Sequence, residues 1–180
     1  MSTKSVLVLT IALLCAVLLG GSPVRAQQSV APYPLDTVPE KMAFDIPYGT
    51  PISLNRAEAA IATAVAEAKK HDWKLNVAVV DSGGNLVAFQ RMDGAQLASI
   101  QISEHKARAA ATFRRDTKEF EKGIQLSGYN YILTFDGVIA SRGGIPLVVG
   151  GKLIGAIGCS GGSGSQDEVA CKAGAAIINK

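Results

Sequence analysis

A histidine on an otherwise apolar helical stripe is the first position in this sequence that could carry chemistry. His105 follows Ile102 by three residues and precedes Ala109 by four, with Phe113 a further turn along, so these side chains share one face of a predicted helix. An imidazole in such a place is either a packed core or interface residue, or a group that faces an apolar pocket. In the second case it would act as an acid–base group or as the axial ligand of a flat hydrophobic cofactor such as haem.

Three charged residues form a second candidate set. Arg91 ends a predicted strand, Asp93 follows in a turn, and Lys106 lies on the same predicted helix as His105. A cation near a carboxylate could bind a propionate or another small acid, or transfer protons, which makes Asp93, Lys106 and His105 the catalytic candidates. A structural ion pair at the strand end is the alternative. His71, at the end of the predicted first helix, is a weaker metal-ligand candidate, because a capping or solvent-exposed role suits a histidine there.

Several common catalytic and cofactor motifs are absent from the sequence. It has no P-loop, no dinucleotide fingerprint, no H-E-x-x-H and no C-x-x-C. Ser160 lies in 158–162 (GCSGG), which has the spacing of G-x-S-x-G, but both histidines precede it in the chain, which does not fit the order of residues in such a serine hydrolase. A glycine-rich stretch at 158–164 precedes the last predicted helix, whose first backbone N–H groups could receive an anion. Asp167 and Glu168 already place negative charge there, so a tight connection with its own caps is the competing interpretation.

The composition fits one globular domain, and its first residues are typical of an export signal. Of 180 residues, 48% are hydrophobic and 18% are charged, which excludes a disordered chain. Lys4 precedes an apolar run at 6–19, too short to anchor a protein in a membrane, and residues 24–26 (VRA) suit a signal peptidase. We therefore expect residues 1–26 to be a signal peptide cleaved before Gln27, and the protein to be periplasmic or secreted.

Removing that signal changes the charge balance. The whole chain has a net charge of +3, and without residues 1–26 it holds 16 basic against 15 acidic residues, a net charge of +1. Neither nucleic acid nor a membrane surface is then an expected partner. Residues 27–52 hold five of the seven prolines, which predicts an extended arm reaching a neighbouring subunit or, alternatively, a disordered leader.

Two cysteines remain after cleavage. An oxidising compartment permits a disulfide between Cys159 and Cys171, but the sequence alone favours two small buried hydrophobic residues.

The folded domain is predicted to cover residues 53–180. Ser53 is a credible N-cap for a helix ending near Lys70, residues 81–85 (DSGGN) form a hairpin turn, and Ser165 with Glu168 is a candidate capping box for the last helix. Further elements are strands at 74–80, 86–90, 145–149 and 152–159, helices at 97–113 and 117–125, and a short strand at 131–135. The order α-β-β-α-α-(β)-β-β-α predicts an α/β (α+β) fold, an antiparallel sheet of about five strands flanked by helices in a profilin-like layout.

Six motifs, in order along the chain, resemble the GlcG/HbpS family, which is related to the PduO C-terminal domain. They are 77–86 (VAVVDSGGNL), 91–95 (RMDGA), 106–110 (KARAA), 143–146 (GGIP), 155–162 (GAIGCSGG) and 166–168 (QDE). The resemblance spans residues 53–180 and implies an α/β domain that assembles into homo-oligomers. Some members bind haem or related tetrapyrroles, and an extracellular one works beside a redox-sensing two-component system, which implies a sensor protein as a possible partner. The cofactor-binding candidates are then His105, Arg91, Lys106, Gly144 and Pro146.

Two functions follow from these observations as expectations. The first is an exported, oligomeric haem-binding protein that stores or senses haem, with His105 as the iron ligand, His71 as the weaker candidate, and basic residues for the propionates. The alternative is a small-molecule enzyme that transfers protons in a pocket at a subunit interface. A structural or signalling protein without a pocket is a third hypothesis.

Overall fold

The computed structural model describes residues 34–179. The predicted signal peptide and residues 27–33 of the predicted arm lie outside this range. The chain divides into two compact units, 1–40 and 41–180. The first unit contributes one short 3₁₀ helix, Pro34–Asp36, and the second contains all other elements. Within the described range, no helix combines the length and apolar character needed to cross a bilayer.

The core of the second unit is a four-stranded antiparallel sheet. Its strands are β1 (Asn76–Asp81), β2 (Leu86–Arg91), β3 (Gly144–Val149) and β4 (Lys152–Ser160). They lie in the order β2-β1-β4-β3, and every neighbouring pair is antiparallel. The two predicted hairpins and the predicted α+β class are therefore confirmed. Before the sheet, residues 47–52 run alongside the start of β4, where Gly49 donates to the Leu153 carbonyl and Ile52 to that of Ile154.

The fifth strand, predicted at 131–135, is not formed. The segment is a 3₁₀ helix, Asn130–Thr134, with i to i−3 hydrogen bonds from Ile132 to Tyr129 and from Phe135 to Ile132. Ile132 is its single buried side chain, so the segment has no alternating apolar face to pair against the sheet. The Thr134 hydroxyl donates to the Tyr131 carbonyl and closes the turn locally. The prediction failed because aromatic content alone does not make a strand.

Four α-helices cover the two faces of the sheet: α1 (Leu54–Lys70), α2 (Ser99–Thr112), α3 (Lys118–Gln125) and α4 (Gly164–Ala176). Helices α1 and α4 pack on one face, around a core that includes Val77, Val79 and Ile157. Helix α2 packs on the other face through Ala107, Ala110 and Ala111. A side chain at Gly158 of β4 would overlap the Ser103 carbonyl of α2, so alanines and this glycine allow helix and sheet to approach closely.

The predicted capping box of the last helix is displaced in the structure. Ser163, not Ser165, is the N-cap of α4: its hydroxyl accepts from the Gln166 backbone N–H, and the Gln166 side chain accepts from the Ser163 N–H. Glu168 is not free to close a box, because its carboxylate pairs with Lys118, Arg142 and Lys172. The first helix ends at Lys70 as predicted.

Cys159 and Cys171 form a disulfide. It joins the end of β4 to the middle of α4, with a Cα–Cα distance of 5.6 Å, and both residues are fully buried. The favoured interpretation of the two cysteines as independent buried residues is therefore wrong. Their approach depends on the packing of α4 over the sheet, which local sequence does not reveal.

We expect loss of this disulfide to lower the free energy of unfolding by about 3 kcal/mol, because a short loop is no longer closed in the unfolded chain. Urea unfolding of protein lacking residues 1–26, folded under oxidising conditions and then compared with and without reductant, measures the difference. Such protein has no other cysteine. Two reactive thiols in the denatured, unreduced protein would contradict the bond.

Candidate functional site

Lys106, expected to be available to a small acid, is buried in an ion pair. Its side chain is 1% exposed and its Nζ donates to Asp167 Oδ2 at 2.8 Å, while the Asp167 side chain is 3% exposed. The other carboxylate oxygen of Asp167 accepts from the Gly162 backbone N–H at 3.0 Å. Burial raises the pKa of the Asp167 carboxyl, and the neighbouring ammonium of Lys106 opposes that shift. The pair ties α2 to the first turn of α4.

A second group of charges lies around Glu168 and Glu121, and we call it the ion-pair network. Lys118 of α3 donates to Glu168 at 3.0 Å, and Arg142 pairs with both Glu168 and Glu121. Burial alone would raise the pKa of Glu168, but hydrogen bonds from Lys172 and Lys118 outweigh it and hold the pKa below its ordinary value. The Arg142 hydrogen bonds likewise lower the pKa of Glu121. These carboxylates are thus held ionised, and they connect α3, α4 and the segment before β3.

Gly144 and Pro146, the backbone candidates for a cofactor contact, lie on β3. A side chain at Gly144 would overlap the Lys106 carbonyl, and its N–H donates to the Thr117 hydroxyl at 2.9 Å. The Pro146 carbonyl accepts from Asn179 at 3.2 Å. The positions therefore serve close packing of β3 against α2, and their contact with a cofactor stays a prediction.

Arg91 and Asp93 are brought together, but without Lys106 or His105. Both are exposed and line a cavity of about 350 Å³ together with Lys69, Lys74 and Met92. Lys69, Lys74 and Arg91 place three cations beside the Asp93 carboxylate, and Lys74 is paired with Asp72 outside the lining. The proposed charged set is thus split: one part faces solvent at the end of β2, and the other is sealed under α4.

The two histidines occupy different environments. His105 is half-buried at the edge of α2, beside the half-buried Ile102. His71 is exposed at the C-cap of α1, where its ring stacks on Trp73 at 4.3 Å and lies 3.4 Å from Glu67. Among the residues that the structure describes, no group of three or more His, Cys, Asp or Glu side chains could hold a metal ion.

Sequence analysis missed a second cavity, of about 430 Å³, between α3 and the 3₁₀ helix Asn130–Thr134. Phe44, Phe120, Tyr129 and Tyr131 line it, and Arg115 lies at its edge. His105 lines neither this cavity nor the one beside Arg91. Paired aromatic residues at 129 and 131 were a visible signal, but Phe44 comes from the predicted arm and could not be placed.

A model of the family described as haem-degrading protein HbpS-like matches residues 52–176. The chain belongs to the HbpS-like family. The resemblance inferred from the motifs is thereby confirmed.

Three named proteins are similar to this chain over most of their own length. Protein GlcG of Escherichia coli K12 is 41% identical over 109 residues, which are 61% of this chain and 81% of GlcG. The crystal structure of HbpS matches with a TM-score of 0.68 and 30% identity, over 78% of this chain and 99% of HbpS. A crystal structure of PduOC in complex with haem matches with a TM-score of 0.66 and 30% identity, over 72% of this chain and 96% of PduOC.

Replacing Lys106 alone should be severely destabilising. In Lys106→Met the Asp167 carboxylate stays buried without its partner, so we expect the free energy of unfolding to fall by about 3–5 kcal/mol. The double variant Lys106→Met/Asp167→Leu should recover much of this loss, because no buried charge remains. Chemical denaturation measures both.

Lys70→Met is the matched control, since Lys70 pairs with Glu67 at the surface and its loss should cost less than about 1 kcal/mol. Equal effects of Lys106→Met and Lys70→Met would show that the buried pair does not support the fold.

Proposed function

We propose that this protein is an exported, homo-oligomeric haem-binding protein of the GlcG/HbpS type that stores or senses haem. The observation that carries the proposal is the similarity to PduOC, a domain whose structure contains haem and which this chain covers over 96% of its length. In a sensing role, a sensor protein would be the partner that receives the signal.

His105 fits the role of iron ligand on chemical grounds. Neutral imidazole is a common haem ligand, and here it stands half-buried on an accessible helix edge next to apolar Ile102. His71 fits less well, because its ring is already stacked on Trp73 and lies near Glu67. Haem, when bound, would supply the iron and its ligand-binding chemistry. The chain's own residues would bind and orient the ring and limit its contact with water.

The expected propionate partners need revision. The Lys106 ammonium is sealed in its pair with Asp167 and cannot reach a ligand without breaking that pair. Arg108 is exposed one turn beyond His105 on the same helix, and its Nε donates to the Gly84 carbonyl at 3.3 Å. We therefore assign the propionate role near His105 to Arg108, and keep exposed Arg91 as a second candidate.

A second copy of the chain would complete the slot for the macrocycle. Neither cavity described above reaches His105, so a flat ring bound there needs another apolar wall. Large apolar side chains are available for such contacts: Leu97 is 71% exposed and Leu133 66%. Exposed apolar side chains of this size suit burial between subunits.

Haemin added to the wild-type protein should give a Soret band distinct from that of free haemin. His105→Ala should weaken binding at least tenfold, because the iron loses its ligand, whereas His71→Ala should bind as the wild type does. Absorption titration measures all three.

Sedimentation of the same samples tests the subunit contribution. The haem proposal is refuted if the wild type gives no shifted band or if His105→Ala binds equally well. If the wild-type protein sediments as a monomer and still binds haemin tightly, the proposal that two subunits share the slot is contradicted.

The disulfide supports export. Structural disulfides form in oxidising compartments, and Cys159 and Cys171 are bonded and buried. This agrees with the signal-like composition of residues 1–26.

Expression of the full chain in a Gram-negative host should therefore release a periplasmic protein whose N-terminal sequence begins at Gln27. A variant without residues 1–26 should remain in the cytoplasm with two reduced thiols. Recovery of the full chain from the cytoplasm with Met1 intact would contradict export.

A further inference from the structure

The cavity between α3 and the 3₁₀ helix, which we call the aromatic cavity, has the walls of a binding site for a flat ligand. Four aromatic rings line its volume of about 430 Å³, and Leu126 and Ile132 add apolar surface. Tyr131 remains partly exposed, so the cavity is open to solvent. Pockets of this size and lining are typical of small-molecule sites.

A cation stands at its edge without a carboxylate partner. The Arg115 guanidinium lies 3.6 Å from the centroid of the Phe44 ring and 5.3 Å from that of Phe120. Its Nε donates to the Phe113 carbonyl at 3.1 Å. Among the described residues Arg115 forms no salt bridge, because the nearby Glu119 is paired with Lys122 at 2.9 Å. Four guanidinium N–H donors are thereby left for another partner.

The electrostatics of this cation favour an anionic ligand. Burial lowers the pKa of Arg115, the neighbouring positive charge of Arg114 acts in the same direction, and the Glu119 carboxylate opposes them. Glu119 also lines the cavity, where it is paired with Lys122. A half-buried cation that has lost part of its hydration gains from a carboxylate more than an exposed one does. The guanidinium lies over the Phe44 ring, and the N–H groups that Phe113 does not use are donors that suit the two oxygens of a carboxylate.

Phe44, which forms one wall of the aromatic cavity, has a backbone conformation that a residue with a large side chain rarely adopts. Phe44 has φ of 60°, a left-handed conformation that costs free energy for a residue with a large side chain. Stacking on Arg115 offsets this cost and keeps the ring over the cavity. The Arg114 guanidinium hydrogen-bonds the Ile46 carbonyl and fixes the same segment two residues later.

We propose that the aromatic cavity binds a planar aromatic carboxylate, with the ring between the aromatic side chains and the carboxylate on Arg115. This site is separate from His105 and goes beyond the proposed haem function, because it recognises ring shape and charge rather than iron.

Fluorescence anisotropy with 1-pyrenecarboxylate as the probe tests the site in protein lacking residues 1–26. The wild type should bind the carboxylate at least tenfold more tightly than neutral 1-pyrenemethanol. Arg115→Gln should remove that preference, since it deletes the charge that pairs with the carboxylate. Arg56→Gln, which removes an exposed cation beside a different cavity, should leave both affinities unchanged.

A second variant keeps the test informative if Arg115→Gln fails to fold. Tyr131→Ala alters a partly exposed wall residue and should weaken binding of both probes several-fold, with an unchanged far-ultraviolet circular dichroism spectrum. Equal affinity of wild type for the two probes, or wild-type binding by both variants, overturns the proposal.

The result is separable from the haem proposal. His105→Ala should bind 1-pyrenecarboxylate as the wild type does, so either proposal can fail while the other stands. A loss of pyrene binding in His105→Ala would place the ligand elsewhere and contradict the assignment to the aromatic cavity.

Discussion

The buried pair of Lys106 and Asp167 is the interaction on which the arrangement of the domain depends. Neither charge is tolerated alone in a site that excludes water, so helices α2 and α4 must meet wherever the two groups meet. The backbone is shaped to allow it. Gly143 has φ of 112°, and a Cβ there would lie 2.9 Å from the Cβ of Asp167 and 3.3 Å from the ammonium. Gly143 thus makes room for the buried ion pair inside the core of this domain.

Because the Lys106–Asp167 pair occupies the interior, the groups that could bind a ligand lie near the surface of the domain. The residues nearest the pair hold it in place. The ion-pair network and the disulfide fix the same region, around α4. Groups able to meet a ligand lie away from it: His105 at a helix edge, Arg91 at a strand end and Arg115 beside the aromatic cavity. The centre of the domain is thus fixed by charge pairing, and contact with a ligand falls to residues at its surface.

Sequence reasoning succeeded where local pattern decides structure. The turn at 81–85 and the alanine-rich α2 both follow from residue types and spacing, and the motif order identified the family. It failed where distant residues decide. Lys106 finds its partner 61 positions away, Phe44 reaches the aromatic cavity from the predicted arm, and Glu168 is drawn from capping into ion pairs. Each side chain had a plausible local role, and tertiary contact selected a different one.

The sheet order has a consequence for the sequence of events in folding. Strand β1 lies between its hairpin partner β2 and strand β4, and residues 47–52 also hydrogen-bond to β4. The β1–β2 hairpin and residues 47–52 therefore complete their hydrogen bonds only when β4, near the C-terminal end of the chain, is present. Cys171, the second cysteine of the disulfide, comes later still. Before β4 emerges, a chain synthesised from its N-terminus has helices α1 to α3, the β1–β2 hairpin and β3, but it lacks the strand that joins the hairpin to β3, so the sheet and its core cannot close. The domain therefore closes only after β4 and α4 are available, when nearly the whole chain has been made.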